Sequence, residues 1–254
     1  MVGEQQGEVL GAGQDAGQAA GQAGGQDAGQ AGHGLTWSDG VPVSKRFGDP
    51  YFSLNGGLAE TAHVFHHGND LAARLRDGFQ IAETGFGTGL NLLATIALWQ
   101  NLRREGTLRF TSFEAFPLSL NELAQAHSAF PELADTASRL RSYWSTGARR
   151  FTLDGVAIHI IEGDARTTLP AWPDRADAWF LDGFSPAKNP ELWSGDLMAQ
   201  VAVHTAPGGT FATYTAAGPV RRALSAAGFE VSRVPGFGRK RHMSKGHLSP
   251  DQMP

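Results

Sequence analysis

The sequence predicts an α/β fold: a doubly wound, mostly parallel sheet preceded by a small β extension. Three observations carry this. From residue 78 onward, short apolar runs alternate with helical patterns, the signature of strands joined by crossover helices. The runs are apolar on both faces, as a sheet covered by helices on each side requires. The first run opens directly into a glycine-rich turn, the kind of strand-to-helix junction that lets a backbone approach a ligand.

The elements follow in order. Residues 1–33 are a Gly/Gln/Ala tract with repeated AGQ units and no aromatic residue, which predicts a disordered tail because so little surface is available to bury. Residues 34–254 are expected to form one domain. Its opening stretch, 35–67, mixes apolar pieces with the turn signals SDG, GDP and NGG and predicts small strands or hairpins. The runs FQIAE, LRFTSFE, VAIHIIEGD, AWFLD and GTFATYT then read as strands. Between them Gly89–Leu102, Leu118–Ala129, Glu191–Ala202 and Pro219–Gly228 read as helices, while 131–150 reads as helix and loop. FEVSRVPGF is a sixth strand, and 239–248 supplies a short last one.

Composition narrows the function classes. The formal charge of −4 is accounted for by Glu4, Glu8, Asp15 and Asp27, so the body from residue 33 onward is neutral and does not advertise nucleic-acid binding by total charge. The absence of cysteine removes disulfides, thiolate ligands and a thiol nucleophile, and fits a reducing compartment. No apolar stretch has the length of a membrane span and the N-terminus lacks a signal-peptide pattern, so the expected location is cytoplasmic, without membrane association. His63, His66 and His67 lack the spacing of a third metal ligand; they are expected to be strand or loop histidines, and no metal is expected. Ser185 does not sit in a nucleophile elbow, so a hydrolase triad has no support.

The candidate site begins at ETGFGTGLN, residues 83–91. A dinucleotide fingerprint starting at Gly85 would need glycine at 90, where Leu90 stands. The residues instead fit acid-x-G-x-G-x-G through Glu83, Gly85, Gly87 and Gly89. The second strand ends in Glu114, the place from which an acid reaches ribose hydroxyls, and the third ends in Asp164, where an adenine amino group would need an acceptor. These acids point to a nucleoside-bearing ligand. The fourth strand ends in Asp182, next to the switch point of such a sheet. Pro186 and Pro190 stiffen the loop that follows, making it a preorganised wall.

The glycine pattern resembles motif I of class I methyltransferases dependent on S-adenosylmethionine (SAM). A longer set of segments makes the resemblance specific: DPYFS at 49–53, GLAET at 57–61, SFEAFPL at 112–118, DAWFLDGFSPAKNP at 177–190, TYTAAGPVRRAL at 213–224 and GFGRKRHM at 236–243. Over roughly 35–248 the chain resembles the family of MnmD and of the N-terminal half of bifunctional MnmC. It departs from that pattern at Gly48, at GLNL for GLNF and at KRHM for a KREM-type ending. The resemblance implies a Rossmann-like class I methyltransferase fold, SAM as methyl donor, and a substrate that is the 5-aminomethyl group of a (2-thio)uridine at the tRNA wobble position. The family's oxidase half is expected to be absent here, so neither FAD nor a metal is implied. Alternative readings are another amine as substrate, or a SAM- or RNA-binding module without catalysis.

Roles follow as expectations. Asp182 is the catalytic candidate: it would hold the amine by a hydrogen bond and stabilise the charge that passes from sulfur to nitrogen. An alkylammonium has a pKa of about 10.4, so only about one molecule in a thousand is free amine at neutral pH. A carboxylate raises that value, whereas desolvation and a nearby sulfonium lower it. Tyr51 and Phe184 are candidates for lining the base pocket, with core packing the alternative. Lys188 is a candidate phosphate contact or a solvated loop lysine, and Trp193 is expected to pack the helix. Two basic groups, Arg139/Arg141/Arg149/Arg150 and Arg239/Lys240/Arg241/Lys245, are candidates for contacting an anticodon stem-loop, with steep salt dependence.

Overall fold

The computed structural model describes residues 34–53 and 56–249; the N-terminal tract, and with it the expectation of a disordered tail, lies outside them. The chain enters through β1 (Leu35–Ser38) and β2 (Val41–Ser44), an antiparallel hairpin. Its turn residues Asp39 and Gly40 both take positive φ, the geometry of a type I′ turn that matches strand twist.

The next stretch corrects the expectation of further strands. Residues 57–67 are helical: α1 (Gly57–Thr61) runs into one π-helical turn, Ala62–His67, and α2 (Leu71–Arg74) follows. Val64, Phe65 and Leu71 share one buried side at helical spacing, and packing of that side outweighs the turn signals around it. His63, His66 and His67 are therefore helical rather than strand or loop residues. His66 is buried with Nε2 3.2 Å from Thr95 Oγ1, and burial pushes its pKa down to about 4. Among the described residues no three His, Asp or Glu side chains gather as metal ligands.

The main body alternates as expected: β3 (Gln80–Thr84), α3 (Leu90–Leu102), β4 (Leu108–Glu114), α4 (Leu120–His127), α5 (Ala134–Ser145), β5 (Arg150–Leu153), β6 (Val156–Glu162), α6 (Ala165–Thr168), β7 (Ala176–Leu181), α7 (Gly195–Val203), β8 (Thr205–Thr213), α8 (Gly218–Ala226), β9 (Phe229–Pro235) and β10 (His242–Leu248). The sheet order is β5-β6-β4-β3-β7-β8-β10-β9. The pairs β6–β4, β4–β3, β3–β7 and β7–β8 are parallel, while β5 and β10 run antiparallel to their neighbours. The chain leaves β3 towards β4 and β6 on one side and returns to β7 and β8 on the other, which opens a crevice beside the carboxyl end of β3.

Two strands differ from expectation. β5 is a short edge strand that begins at Arg150, the last residue of the stretch read as helix and loop, and runs on through residues assigned to no element; the Asp154–Gly155 hairpin turn, both residues at positive φ, joins it to β6. The last strand is complete rather than short, and it inserts between β8 and β9 because the loop 236–241 folds it back onto β9 in register from Pro235 to Phe229.

Alternation along each strand feeds two apolar layers. Ile81 and Phe180 pack on the side of Leu92, Ile96 and Trp99, whereas Ala82 and Trp179 pack on the side of Trp172, Leu197 and Leu224. Ser119 and Glu122 form a capping box that starts α4 cleanly. Among the described residues no helix is long and apolar enough to cross a membrane.

Candidate active site

At the carboxyl edge of β3, β4 and β7 lies a cavity of about 670 Å³, lined among others by Tyr51, Gly85, Gly87, Asn91, Glu114, Asp164, Asp182, Phe184, Lys188 and Lys240. The glycine turn forms its floor. Gly87 needs φ of +54°, and a Cβ there would lie 3.2 Å from the Tyr51 ring, so the DPYFS segment folds close over the turn. Gly89, at φ +73°, caps α3 in the left-handed conformation and stands behind the lining.

Glu114 is buried and ties the turn to β4. Its Oε2 accepts the Gly87 N–H at 2.8 Å and its Oε1 accepts the Phe116 N–H at 2.7 Å. Burial pushes the carboxyl up from its ordinary range, and those N–H donors pull it partly back. Each carboxylate oxygen retains further acceptor capacity.

Asp182 follows the last residue of β7 and lines the cavity. Its Oδ1 accepts the Gly183 N–H at 2.8 Å and its Oδ2 accepts the Asn91 amide at 2.7 Å. Desolvation is the larger influence and pushes its carboxyl up to about 6, against the pull of Gly183, Asn91 and the Lys240 cation. Glu83 does not reach the cavity. It is fully buried behind Asn91, accepting from the Asn91 amide at 2.8 Å and from Ser112 Oγ at 2.6 Å, and burial holds its carboxyl well above the ordinary range.

Asp164 stands at the cavity's outer end as the N-cap of α6. It accepts the Arg166 N–H at 2.9 Å and is paired with the Arg166 guanidinium at 2.6 Å, which holds its carboxyl below the ordinary range.

The opposite wall is aromatic. Phe184 stacks on Phe47 at 4.7 Å and meets Tyr51 edge-on at 5.0 Å. Trp193 packs in the core as expected and holds the loop by donating Nε1–H to the Phe184 carbonyl at 2.9 Å. Lys188 is an anchoring residue: Nζ pairs with Asp49 Oδ1 at 2.8 Å and bonds the Gly48 carbonyl, while Asp49 Oδ2 accepts the Ser185 N–H at 2.8 Å. The proline loop is thereby bound to the N-terminal extension. Lys240 reaches into the cavity, with Nζ 2.6 Å from Glu60 Oε1 and 4.3 Å from the centre of the Tyr214 ring. The Tyr214 hydroxyl donates to the Gly183 carbonyl at 2.8 Å.

The basic groups are separated by this geometry. Arg139 is paired with Asp154, Arg149 with Glu162 while lying over Trp144 at 4.0 Å, and Arg141 contacts His127 Nδ1 at 3.0 Å, so internal partners already engage most of the first group. Arg239 and Arg241 lie exposed on the loop 236–241, outside the cavity lining.

Asn91, Glu60, Tyr214 and Asp49 were not identified as site residues from sequence. Asn91 carried a usable signal, a polar side chain in the first turn of a mostly apolar helix, inside the glycine motif itself. Glu60 carried none, since its pairing with Lys240 spans most of the chain.

Residues 131–249 match the family model described as S-adenosyl-L-methionine-dependent methyltransferase. The chain is 46% identical over 226 residues to the tRNA 5-methylaminomethyl-2-thiouridine biosynthesis bifunctional protein MnmC of Chromobacterium violaceum, covering 85% of this chain and 34% of that protein. It is 46% identical over 224 residues to the MnmC of Hahella chejuensis, covering 84% and 36%. The chain thus spans about a third of the length of these curated relatives. The crystal structure of MnmC2 from Aquifex aeolicus superposes with a TM-score of 0.66 at 26% identity, covering 84% of this chain and 68% of that one. The chain is therefore a homologue of the MnmC proteins, built on the class I fold of the S-adenosyl-L-methionine-dependent methyltransferases.

Proposed function

We propose that this protein is a SAM-dependent N-methyltransferase that converts the 5-aminomethyl group of wobble (2-thio)uridine in tRNA to 5-methylaminomethyl. The observation that carries it is Asp182: a desolvated carboxylate, pinned by two donors, at the switch-point cavity of a chain homologous to MnmC. The residues fit the donor. A glycine turn approached closely by Tyr51, the acceptor Glu114 with capacity to spare, and a 670 Å³ cavity suit an amino-acid nucleoside and leave space for a base beside it. When bound, SAM supplies an activated methyl group.

In this reading Glu114 would take the ribose hydroxyls, Asp164 the adenine end, and the backbone of Gly85 and Gly87 the methioninyl part. Glu83 supports that end from behind Asn91 rather than by contact, and Gly89 shapes the turn as the cap of α3. Tyr51 and Phe184 wall the uracil. Asp182 would accept an N–H of the substrate amine, hold its lone pair towards the activated methyl group and stabilise the positive charge that grows on nitrogen, which would pass its proton to solvent as the sulfur leaves as the neutral thioether. Lys240 offsets the carboxylate of Glu60 beside the amine, which limits how far acidic neighbours favour the unreactive ammonium. Arg239 and Arg241 meet phosphates of the anticodon stem-loop, and a cytoplasmic setting completes the picture.

The test is incubation of the purified protein with methyl-labelled SAM and tRNA bearing aminomethyluridine, followed by nucleoside mass spectrometry. Label in 5-methylaminomethyl-(2-thio)uridine is the expected result. Label in another nucleoside, or transfer only to a small amine, overturns the substrate assignment.

A further inference from the structure

α3 begins with Leu90, Asn91, Leu92 and Leu93, all buried. A buried amide is costly unless its hydrogen bonds are made. Those of Asn91 are made in an informative way. Its Nδ2 donates to Glu83 Oε1 at 2.8 Å and to Asp182 Oδ2 at 2.7 Å, while its Oδ1 accepts from Thr61 Oγ1 at 2.8 Å. Turning the amide over would set its oxygen against the Asp182 carboxylate, so the Thr61 hydroxyl on one side and Asp182 on the other select one orientation. The Asn91 carbonyl accepts from Thr95 Oγ1 at 2.7 Å, which fixes the helix turn that carries the amide. The junction joins α1, α3, β3 and the end of β7.

The consequence falls on Asp182. With Gly183 N–H on one oxygen and Asn91 on the other, the carboxylate plane cannot rotate without breaking a bond. Glu83, the acid that opens the glycine motif, is the anchor behind the amide.

We propose that Asn91 is a positioning residue that fixes the Asp182 carboxylate for methylation of the amine, with Glu83 and Thr61 as its anchors. This rests on the methyltransferase reading above and deepens it. Asn91 acts through Asp182; it is a structural link between a wholly internal acid and the one that faces substrate.

The experiment uses the full chain with Asn91→Leu, a near-isosteric change suited to its apolar helix, and Thr61→Val, which removes only the clamp on the amide oxygen. Asn91→Leu is expected to lower kcat by about 10²-fold, the effect of a positioning group displaced by about 1 Å, with KM for tRNA unchanged. The SAM dissociation constant, measured by calorimetry, stays within about threefold. Thr61→Val lowers kcat in the same direction by less, and carries the test if the leucine variant fails to fold. The second readout is the carboxyl ¹³C titration of Asp182 without substrate. Its midpoint moves up in Asn91→Leu, because Asn91 favours the charged form together with Gly183 N–H and Lys240, against burial and Glu60. Unchanged kcat and midpoint in a folded variant overturn the proposal, as does a loss confined to SAM affinity, which makes Asn91 a cofactor ligand instead. Absence of methyl transfer by the wild type, with the midpoint still moved up in Asn91→Leu, overturns the functional reading while supporting the positioning geometry.

Discussion

Glu114 and Asp164 stand at the carboxyl ends of β4 and β6, neighbouring strands of one sheet, and line the same cavity, yet their surroundings are opposite. Glu114 is buried, held by two backbone N–H groups and pushed towards the neutral form. Asp164 is half-exposed, paired with the flexible Arg166 and pulled towards the charged form. Asp182, on the other side of β3, belongs with Glu114: desolvated and held by a backbone N–H and a fixed amide. The difference teaches that an acid's place at the sheet edge sets what it can reach, while its donors and its solvent set what it can do. A carboxylate held by rigid groups stays aimed; one held by a surface arginine exchanges partners with water and contributes little.

Four predictions break or sharpen this contrast. The largest effect is expected at Asp182→Ala, which lowers kcat by about 10²–10³-fold in a methyl-transfer assay, with SAM affinity retained. Near-normal turnover would show that the pinned carboxylate is a turn residue only. Next comes Glu114→Gln, which presents an amide NH₂ to one of two N–H donors. The loss should be about 1–3 kcal/mol in SAM binding or thermal stability, read by calorimetry and melting. Arg239→Gln and Arg241→Gln weaken tRNA binding uniformly, each reducing the slope of log affinity against log salt by about 1. The smallest is Asp164→Asn, for which SAM affinity should change by no more than about fivefold, since the surface pair is worth about 0–1 kcal/mol. A loss matching that of Glu114→Gln would erase the contrast between the two strand ends.

A fifth prediction concerns pH. Asp182 binds protons more readily folded, at about 6, than unfolded, at the ordinary carboxyl value of 3.8. Between those values the native state holds more protons, so this group's contribution to stability is fully present below about 3.8 and lost as pH rises through about 6. Glu83 acts with the same sign. Melting temperature measured from pH 4 to 7 should therefore fall less steeply in Asp182→Asn than in the wild type.

The sheet and its acids were legible because their signals are local. Apolar runs, a glycine turn and an aspartate at the end of AWFLD each lie within a few residues. The helical stretch 57–67 reads as strands because turn residues flank a buried side that only packing reveals, and β5 escapes notice because its alternation of exposed and more buried residues lasts only four positions. Phe184 and Lys188 were noticed, but their partners Phe47 and Asp49 lie far back in the chain.

By itself, then, the sequence determined the alternating architecture, the glycine turn and the residue types at the strand ends, since these depend on φ, periodicity and strand length. Only the tertiary structure decided that Glu83 hides behind Asn91, that Asn91 locks Asp182, and that Lys240 meets Glu60. Those pairings join residues brought together by packing, and in a desolvated site it is packing that sets which charge is paired, which is aimed and which is left for the ligand.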